Sequence, residues 1–372
     1  MTSKERMMTA LHKGKPDRLP ATIHQWQSYH LNHYMGGVDA LEAFKQCELD
    51  ASIQYFEGMG QLWSSGGKSE SKKYSDDWID EITVTNDDPE DLHVSHTIHT
   101  PEGCLTYKTV GDERTMYVSE FMIKKPEDIK HLKYMPVPKL DKTAVEKEYD
   151  RIGDAGIFRG FVWGDQAGCW QQACCYYDTM PMIFAANDDP AWVHEFLGIL
   201  MEKKLQFIEE SLKGCKFDLI ETGGGASSST VISPAMFEEF CLPYDKKTHD
   251  ALHGIGHIST YHTCGGMKGI FDLIVKTCAD VSETLSPRGV GGNICGQEAY
   301  EALHGKVGLI GGMDQFNILT NSTPEAIRKE VFRLFDVFGK DGGYVMSSSD
   351  HFFDAPKENL VAFGQAAKEC VY

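Results

Sequence analysis

Hydrophobic and polar positions alternate with three different rhythms along this chain. Near the start, Met7, Met8 and Leu11 share one face of a helix expected over residues 3–14, with Ser3 placed to cap it. The turn Lys13-Gly14-Lys15-Pro16-Asp17-Arg18-Leu19-Pro20 follows, then a short apolar strand through Ile23 and a helix over 39–47. Between 80 and 110 the period drops to two, through Ile82-Thr83-Val84-Thr85, His93 to His99 and Cys104 to Val110. Asp87-Asp88-Pro89 and Pro101-Glu102-Gly103 supply the turns, so this stretch predicts an antiparallel β insertion.

From about residue 155 the rhythm becomes strand, loop, helix. Strands are expected at Gly156–Trp163, Phe217–Glu221, Ile258–His262, Ala279–Leu285, Val307–Ile310 and Tyr344–Ser348. Helices are expected at 190–213, 234–253, 267–277, 297–304 and 324–339, with starts at Asp189-Pro190, Ser233-Pro234 and Thr323-Pro324. Short apolar strands alternating with amphipathic helices predict a parallel sheet with helices outside. The strands near 20 and 52 bring the count to eight. The pattern therefore predicts an α/β fold, a (β/α)8 TIM barrel with an N-terminal β-hairpin insertion, formed as a single domain over residues 1–372.

Composition narrows the function classes. The formal net charge of −19 argues against nucleic acid and against an anionic membrane surface, both of which would repel it. No run of about 18 apolar residues occurs, so no membrane span is expected. The start, Met1-Thr2-Ser3-Lys4-Glu5-Arg6, has no apolar signal core. The 11 cysteines are odd in number and scattered, which predicts reduced thiols and a cytoplasmic setting rather than a disulfide framework. A chain of 372 residues buries enough core to fold without a structural metal, so any metal is expected to serve chemistry.

In a barrel of this kind the chemistry sits where strands give way to loops. His262-Thr263-Cys264 is the most informative such place. Residues two apart on a strand point to the same side, and an imidazole with a thiolate makes a good zinc pair. A catalytic zinc needs a third protein ligand from another strand end, and Asp350, His351 and Glu221 all qualify by position. Asp165 follows another strand, as a further polar strand-end group. His24, Trp26 and Tyr29, with Trp163, can line a flat substrate, or else form an aromatic edge of the core. Gly223-Gly224-Gly225 and Gly265-Gly266 match no phosphate-loop pattern and suggest close backbone approach at the rim. Cys169, Cys174 and Cys175 suggest packing, and Cys241, Cys278 and Cys295 are expected as small core residues.

Four further stretches carry a resemblance. They are Lys4-Glu5-Arg6 with Ala10-Leu11 and Gly14 to Pro20, Ser233 to Phe240 with Pro243, Leu309 to Asp314, and Gly342 to Met346 with Pro356 to Leu360. Together the sequence resembles the uroporphyrinogen decarboxylase superfamily over essentially its whole length, which implies a TIM barrel. The decarboxylase branch carries an arginine-rich signature after the first strand, where this chain has His24-Gln25-Trp26-Gln27-Ser28-Tyr29 with only Arg18 nearby. The other branch is similar in its H-x-C pair and comprises corrinoid-dependent zinc methyltransferases, whose third ligand ends the last strand. That ligand is commonly cysteine; here the position holds Asp350, followed by His351.

The resemblance implies a zinc-dependent methyltransferase that exchanges a methyl group with the cobalt of a corrinoid (cobalamin) carried by a partner protein. An oxygen ligand leaves zinc more Lewis acidic than a thiolate would, which suits an aromatic methyl ether and O-demethylation. On that reading His262, Cys264 and Asp350 hold the metal, and Glu221, Asp165 and His24 orient groups or handle protons. The alternatives are transfer from methylcobamide to a thiol, as in coenzyme M methylation, and a metal-independent decarboxylase. They are separated by substrate tests and by metal content.

Overall fold

A computed structural model describes residues 1–56, 68–164 and 167–372. Two sheets dominate. The first is parallel and runs β1 (Ala51–Gln54), β7 (Gly156–Phe161), β8 (Leu219–Gly223), β9 (Ser259–His262), β10 (Val281–Thr284), β11 (Gly308–Met313) and β12 (Tyr344–Ser348), each bonded to the next. The second is antiparallel and is inserted between β1 and β7. It comprises β2 (Glu70–Ser75), β3 (Trp78–Asn86), β4 (Leu92–Thr100), β5 (Gly103–Gly111) and β6 (Met116–Glu120) in that order.

Six of the seven parallel strands lie where the strong apolar runs fall, with ends shifted by a few residues. The stretch near 20 does not form a regular strand. Only Ala21 bridges β12, opposite Met346. Proline explains this: Pro20 has no N–H to give a ladder. Even so, the segment closes the barrel. Thr22 N donates to Met346 O at 2.8 Å, Met346 N to Pro20 O at 2.9 Å, and Asp50 N to Ala21 O at 2.8 Å. The curled sheet is therefore a TIM-barrel-type fold whose eighth position is irregular. The insertion is larger than a hairpin over 80–110: it reaches from 70 to 120 in five strands.

Asp50, immediately before β1, fixes that closure. Its carboxylate accepts from Arg6 Nη1 at 2.8 Å, Arg18 Nη2 at 3.0 Å, Ser3 Oγ at 2.6 Å and Ala21 N at 3.1 Å. Arg6 also clamps Asp17 at 2.7 and 3.0 Å. The charged N-terminal stretch and the turn at 16–20 thus meet on one buried carboxylate. The first helix, Ser3–Leu11, is capped by Thr2 rather than by Ser3: the Thr2 side chain accepts from Glu5 N. Its Met7, Ala10 and Leu11 pack against Ile157, Leu219, Val281, Ile310 and Val345, the lowest inward layer of the strands. Each such aliphatic side chain, fully buried, contributes about 1.5–3 kcal/mol.

The antiparallel sheet buries alternate residues, Trp78, Ile82, Val94, Ile98, Leu105 and Tyr107 among them, as the period-two pattern requires. Most of these join the main hydrophobic core through Ile123, Ile129 and Leu132. Beneath the sheet His96 Nδ1 meets Asp80 at 3.0 Å, and its ring stacks on Tyr107. Cys241 is a small core residue as expected, but Cys278 and Cys295 are exposed. Both stand in loops, Cys278 at a residue with φ of 67° and Cys295 just before the helix Gly296–Leu303, so neither belongs to a core-facing element. No helix of the described residues is long and apolar enough to cross a membrane.

Replacing Asp50 by Ala takes from Arg6 and Arg18 their one shared buried carboxylate. Stability should fall by about 3–5 kcal/mol, as for a buried pair that loses one partner. Urea unfolding checks this, and a loss below about 1 kcal/mol, the scale of a surface pair, would show that Asp50 does not hold the seam.

Candidate active site and metal centre

The inward side chains of the parallel strands form two layers. The lower is aliphatic and meets the first helix. The upper is charged, which is rare in a fully buried strand. Arg159 on β7 is 1% exposed, and Glu221 on β8 and Glu283 on β10 are 2% and 0% exposed. One guanidinium nitrogen, Arg159 Nη2, donates to Glu221 Oε2 at 2.7 Å and to Glu283 Oε1 and Oε2 at 2.7 and 2.9 Å. Glu283 Oε1 also takes His262 Nδ1 at 3.1 Å, and Glu221 Oε1 lies 3.4 Å from the same nitrogen.

The electrostatics follow from this crowding. Burial raises the proton affinity of both glutamates, but Arg159 and His262 hold Glu283 well below the usual carboxylate range. Burial and the neighbouring Glu283 push Glu221 up to about 7, against the pull of Arg159 and His262. Burial opposes a charge on His262, yet Cys264, Glu283 and Glu221 together hold its proton affinity well above normal. His24, whose ring centroid is 5.1 Å from that of His262, is pushed down to about 3 by burial and is neutral.

With Nδ1 committed to the carboxylates, Nε2 of His262 is buried without a hydrogen-bond partner. Ligand atoms of His262, Cys264 and Asp350 all lie within 4.8 Å of one another. The latter two are half-buried, so the group faces the barrel mouth. Burial works against charge on Asp350, but its hydrogen bond with His351 and the nearby His24 and His262 hold its carboxyl well below the usual range. A nitrogen, a sulfur and an oxygen donor, one of them an orphaned buried imidazole, suit zinc. A carboxylate on the far ring nitrogen is the usual way to orient a ligating histidine. His24, His262 and Glu283 form a second group of the same compactness, buried more deeply.

The residues singled out by sequence divide accordingly. His262, Cys264, Asp350, Glu221 and His24 come together. His351 is in neither compact group among the described residues; its Nδ1 pairs with Asp350 Oδ1 at 2.9 Å. Trp163 is buried at the end of β7, and its carbonyl accepts from Lys204 Nζ at 2.6 Å. Trp26 lies edge-on to Phe44 and Phe352. Tyr29 stands on the rim, where its hydroxyl accepts from Arg114 Nη2, at the turn between β5 and β6, at 3.1 Å. Asp165 lies outside the described residues. Arg159 and Glu283 were not singled out. Their signal was a lone charge inside a strand: Arg159 in the otherwise apolar Gly156-Ile157-Phe158-Arg159-Gly160-Phe161, and Glu283 as the one charge in Val281-Ser282-Glu283-Thr284.

The glycines after β8 permit the close approach. Gly223 has φ of 86°, and a Cβ there would stand 2.5 Å from the His262 carbonyl oxygen. At Gly225 a Cβ would stand 2.8 Å from Cys264 Sγ.

A uroporphyrinogen decarboxylase family model matches residues 112–370, a span that includes every inward charge of the upper layer and all three converging donors. The chain belongs to the uroporphyrinogen decarboxylase family. Curated relatives include the uroporphyrinogen decarboxylase of Xanthomonas oryzae pv. oryzae, 28% identical over 161 residues, and that of Xanthomonas euvesicatoria pv. vesicatoria, 27% identical over the same length. Each match covers 42% of this chain and 42% of the relative, so the chain spans under half the length of the family members it matches. Among solved structures, a methyltransferase from Methanosarcina mazei superposes with a TM-score of 0.65 at 14% identity, covering 99% of both chains. That likeness carries the family fold through both sheets.

Two outcomes follow from this geometry. If the three donors hold zinc, Glu283→Gln, which keeps the shape of the His262 partner but not its charge, should weaken that binding about 10–100-fold, measured by chelator competition. Asp245, fully buried against Tyr261 behind β9, is pushed up to about 7 by burial. The folded state thus binds its proton more tightly than the unfolded state does, and its ionisation destabilises the fold as pH rises from about 4 to 7. Asp245→Asn should therefore be more stable than wild type at pH 8, by roughly 4 kcal/mol at most. The gap should close toward pH 4 in urea titrations.

Proposed function

We propose that this protein is a zinc-dependent methyltransferase that moves a methyl group between an aromatic methyl ether and the cobalt of a corrinoid held by a separate partner protein. The observations that carry the reading are the convergence of donor atoms of His262, Cys264 and Asp350 within 4.8 Å and a buried His262 Nε2 without a hydrogen-bond partner. Bound by those three, zinc supplies a Lewis acid for the ether oxygen. The chain's own residues do the rest. Glu283 fixes the His262 ring through Nδ1, and Arg159 fixes Glu283. Glu221, poised near neutrality with Oε2 on Arg159, holds or releases a proton at Oε1. His24 stays neutral and orients groups at the mouth. His351 holds Asp350 in place. Trp163, Trp26 and Tyr29 supply aromatic walls, and Asp165 remains a proposed strand-end polar group. Arg114 on Tyr29 joins the inserted sheet to the rim, so we assign that edge to the corrinoid partner. The reading includes a cytoplasmic location, one functional unit over residues 1–372, and no nucleic-acid or membrane partner.

The names of the curated relatives favour a second reading, a decarboxylase without metal. The position after the irregular first strand, where the resemblance calls for arginines, holds His24, Gln25 and Gln27 instead. Transfer to a thiol is a third reading, distinguished by substrate.

Elemental analysis of metal-replete protein decides between them. One zinc per chain, lost in both Cys264→Ala and Asp350→Ala, is the expected result. Zinc lost only in Cys264→Ala would move the third ligand to another residue. A metal-free wild type would remove the methyltransferase mechanism and put the decarboxylase first.

A further inference from the structure

The irregular seam leaves a hole in the barrel wall. Backbone bonding across it ends at Asp50 N and Ala21 O, and beyond that point the two edges part. Between them lies a cavity of about 200 Å³, lined by Gln25, Trp26 and Gln27 on one edge and by Ser52, Gln54 and Phe56 on the other. Gln54 is in register with Arg159, so both leave the sheet on its inner face. Gln25 directly follows His24. Gln54 thus extends from the cavity lining to the strand position beside Arg159.

Four of its buried polar atoms have no partners. Trp26 Nε1, Ser52 Oγ and both amide atoms of Gln54 are buried without a hydrogen bond. Trp26 and Ser52 are only 8% and 3% exposed. Buried polar groups are ordinarily paired, and four orphans around one cavity point to an occupant. The volume is several times the roughly 30 Å³ of a single water. The orphaned atoms offer two kinds of donor (indole and amide N–H), a hydroxyl and one amide acceptor. Trp26 supplies an aromatic wall, and Phe56, stacked on Phe161 at 4.8 Å, supplies another. No ionisable side chain lines the cavity among the described residues.

We propose that this slot is a ring-binding subsite for a neutral aromatic compound bearing hydroxyl or methoxy oxygens, read by Gln54 and Trp26. The inference rests on the aromatic-ether reading above and adds its charge selectivity. A carboxylate on the ring would be desolvated there with no cation beside it, so the acid analogue is disfavoured.

Calorimetric titration with 2-methoxyphenol and with 4-hydroxy-3-methoxybenzoate tests this on wild type, Gln54→Ala, Trp26→Phe and Cys264→Ala, each shown to be folded by thermal melting. 2-Methoxyphenol should bind wild type at least about tenfold tighter than the benzoate, and loss of the Gln54 amide should weaken it about tenfold, the scale of one lost hydrogen bond. Trp26→Phe keeps a ring and loses one donor, so it should weaken binding too and serves where Gln54→Ala does not fold. Cys264→Ala, which removes a proposed metal ligand, should weaken binding of 2-methoxyphenol while keeping its preference over the benzoate. Equal or tighter binding of the benzoate, an unchanged affinity in both slot variants, or no binding of 2-methoxyphenol would overturn the subsite and leave water as its occupant. Binding that survives in a protein found to hold no zinc would remove the methyltransferase reading and keep the slot.

Discussion

The buried arginine at the centre of the barrel is the constraint on which the site depends. Two carboxylates and two imidazoles share the interior above the aliphatic floor, and ions removed from water are strongly destabilised unless compensated. Arg159 compensates both glutamates through a single nitrogen. Because its hold on them is unequal, they behave differently: Glu283 stays ionised and fixes His262, whereas Glu221 sits near its titration point. One cation therefore sets the tautomer of the histidine, the direction its remaining nitrogen faces and the protonation of a neighbouring acid. A positive ion between His262, Cys264 and Asp350 would lie beside two carboxylates held ionised, Asp350 and, through the His262 ring, Glu283.

The scaffold beneath has its own electrostatic knot. Asp50 gathers two arginines, a serine and a backbone amide where a proline-bearing segment takes the eighth place in the wall. The knot ties the N-terminal helix, the following turn and β1 to one point. It also marks the limit of regular pairing: above it the edges separate, and polar side chains are left without partners.

Much of this was legible in the sequence, and the exceptions share a cause. Apolar runs located β7 to β12 because a parallel strand covered on both faces must be continuously hydrophobic. Alternation located the insertion, though not its outer strands: Glu70-Ser71-Lys72-Lys73 has no apolar face to betray it. His262, Cys264 and Asp350 were visible as reactive residues at strand ends. Arg159 and Glu283 were missed because they sit inside strands, where a charge reads as an interruption until its partners, 62 and 124 residues away in sequence, are brought beside it. The role of Asp50 was hidden for the same reason. The clustered orphans at the seam could not be read at all, since an unmet hydrogen bond is a property of the assembled wall.

The N-terminal helix also shapes traffic. With Met7, Ala10 and Leu11 packed into the lower end, the barrel is a cul-de-sac rather than a tunnel. A molecule that enters at the mouth cannot depart through the floor, so on the proposed two-partner reading the small substrate and the macromolecule would share one end of the barrel. Such a reaction would run in order: the small molecule is seated before the large one covers the mouth, and it leaves only after the large one has gone.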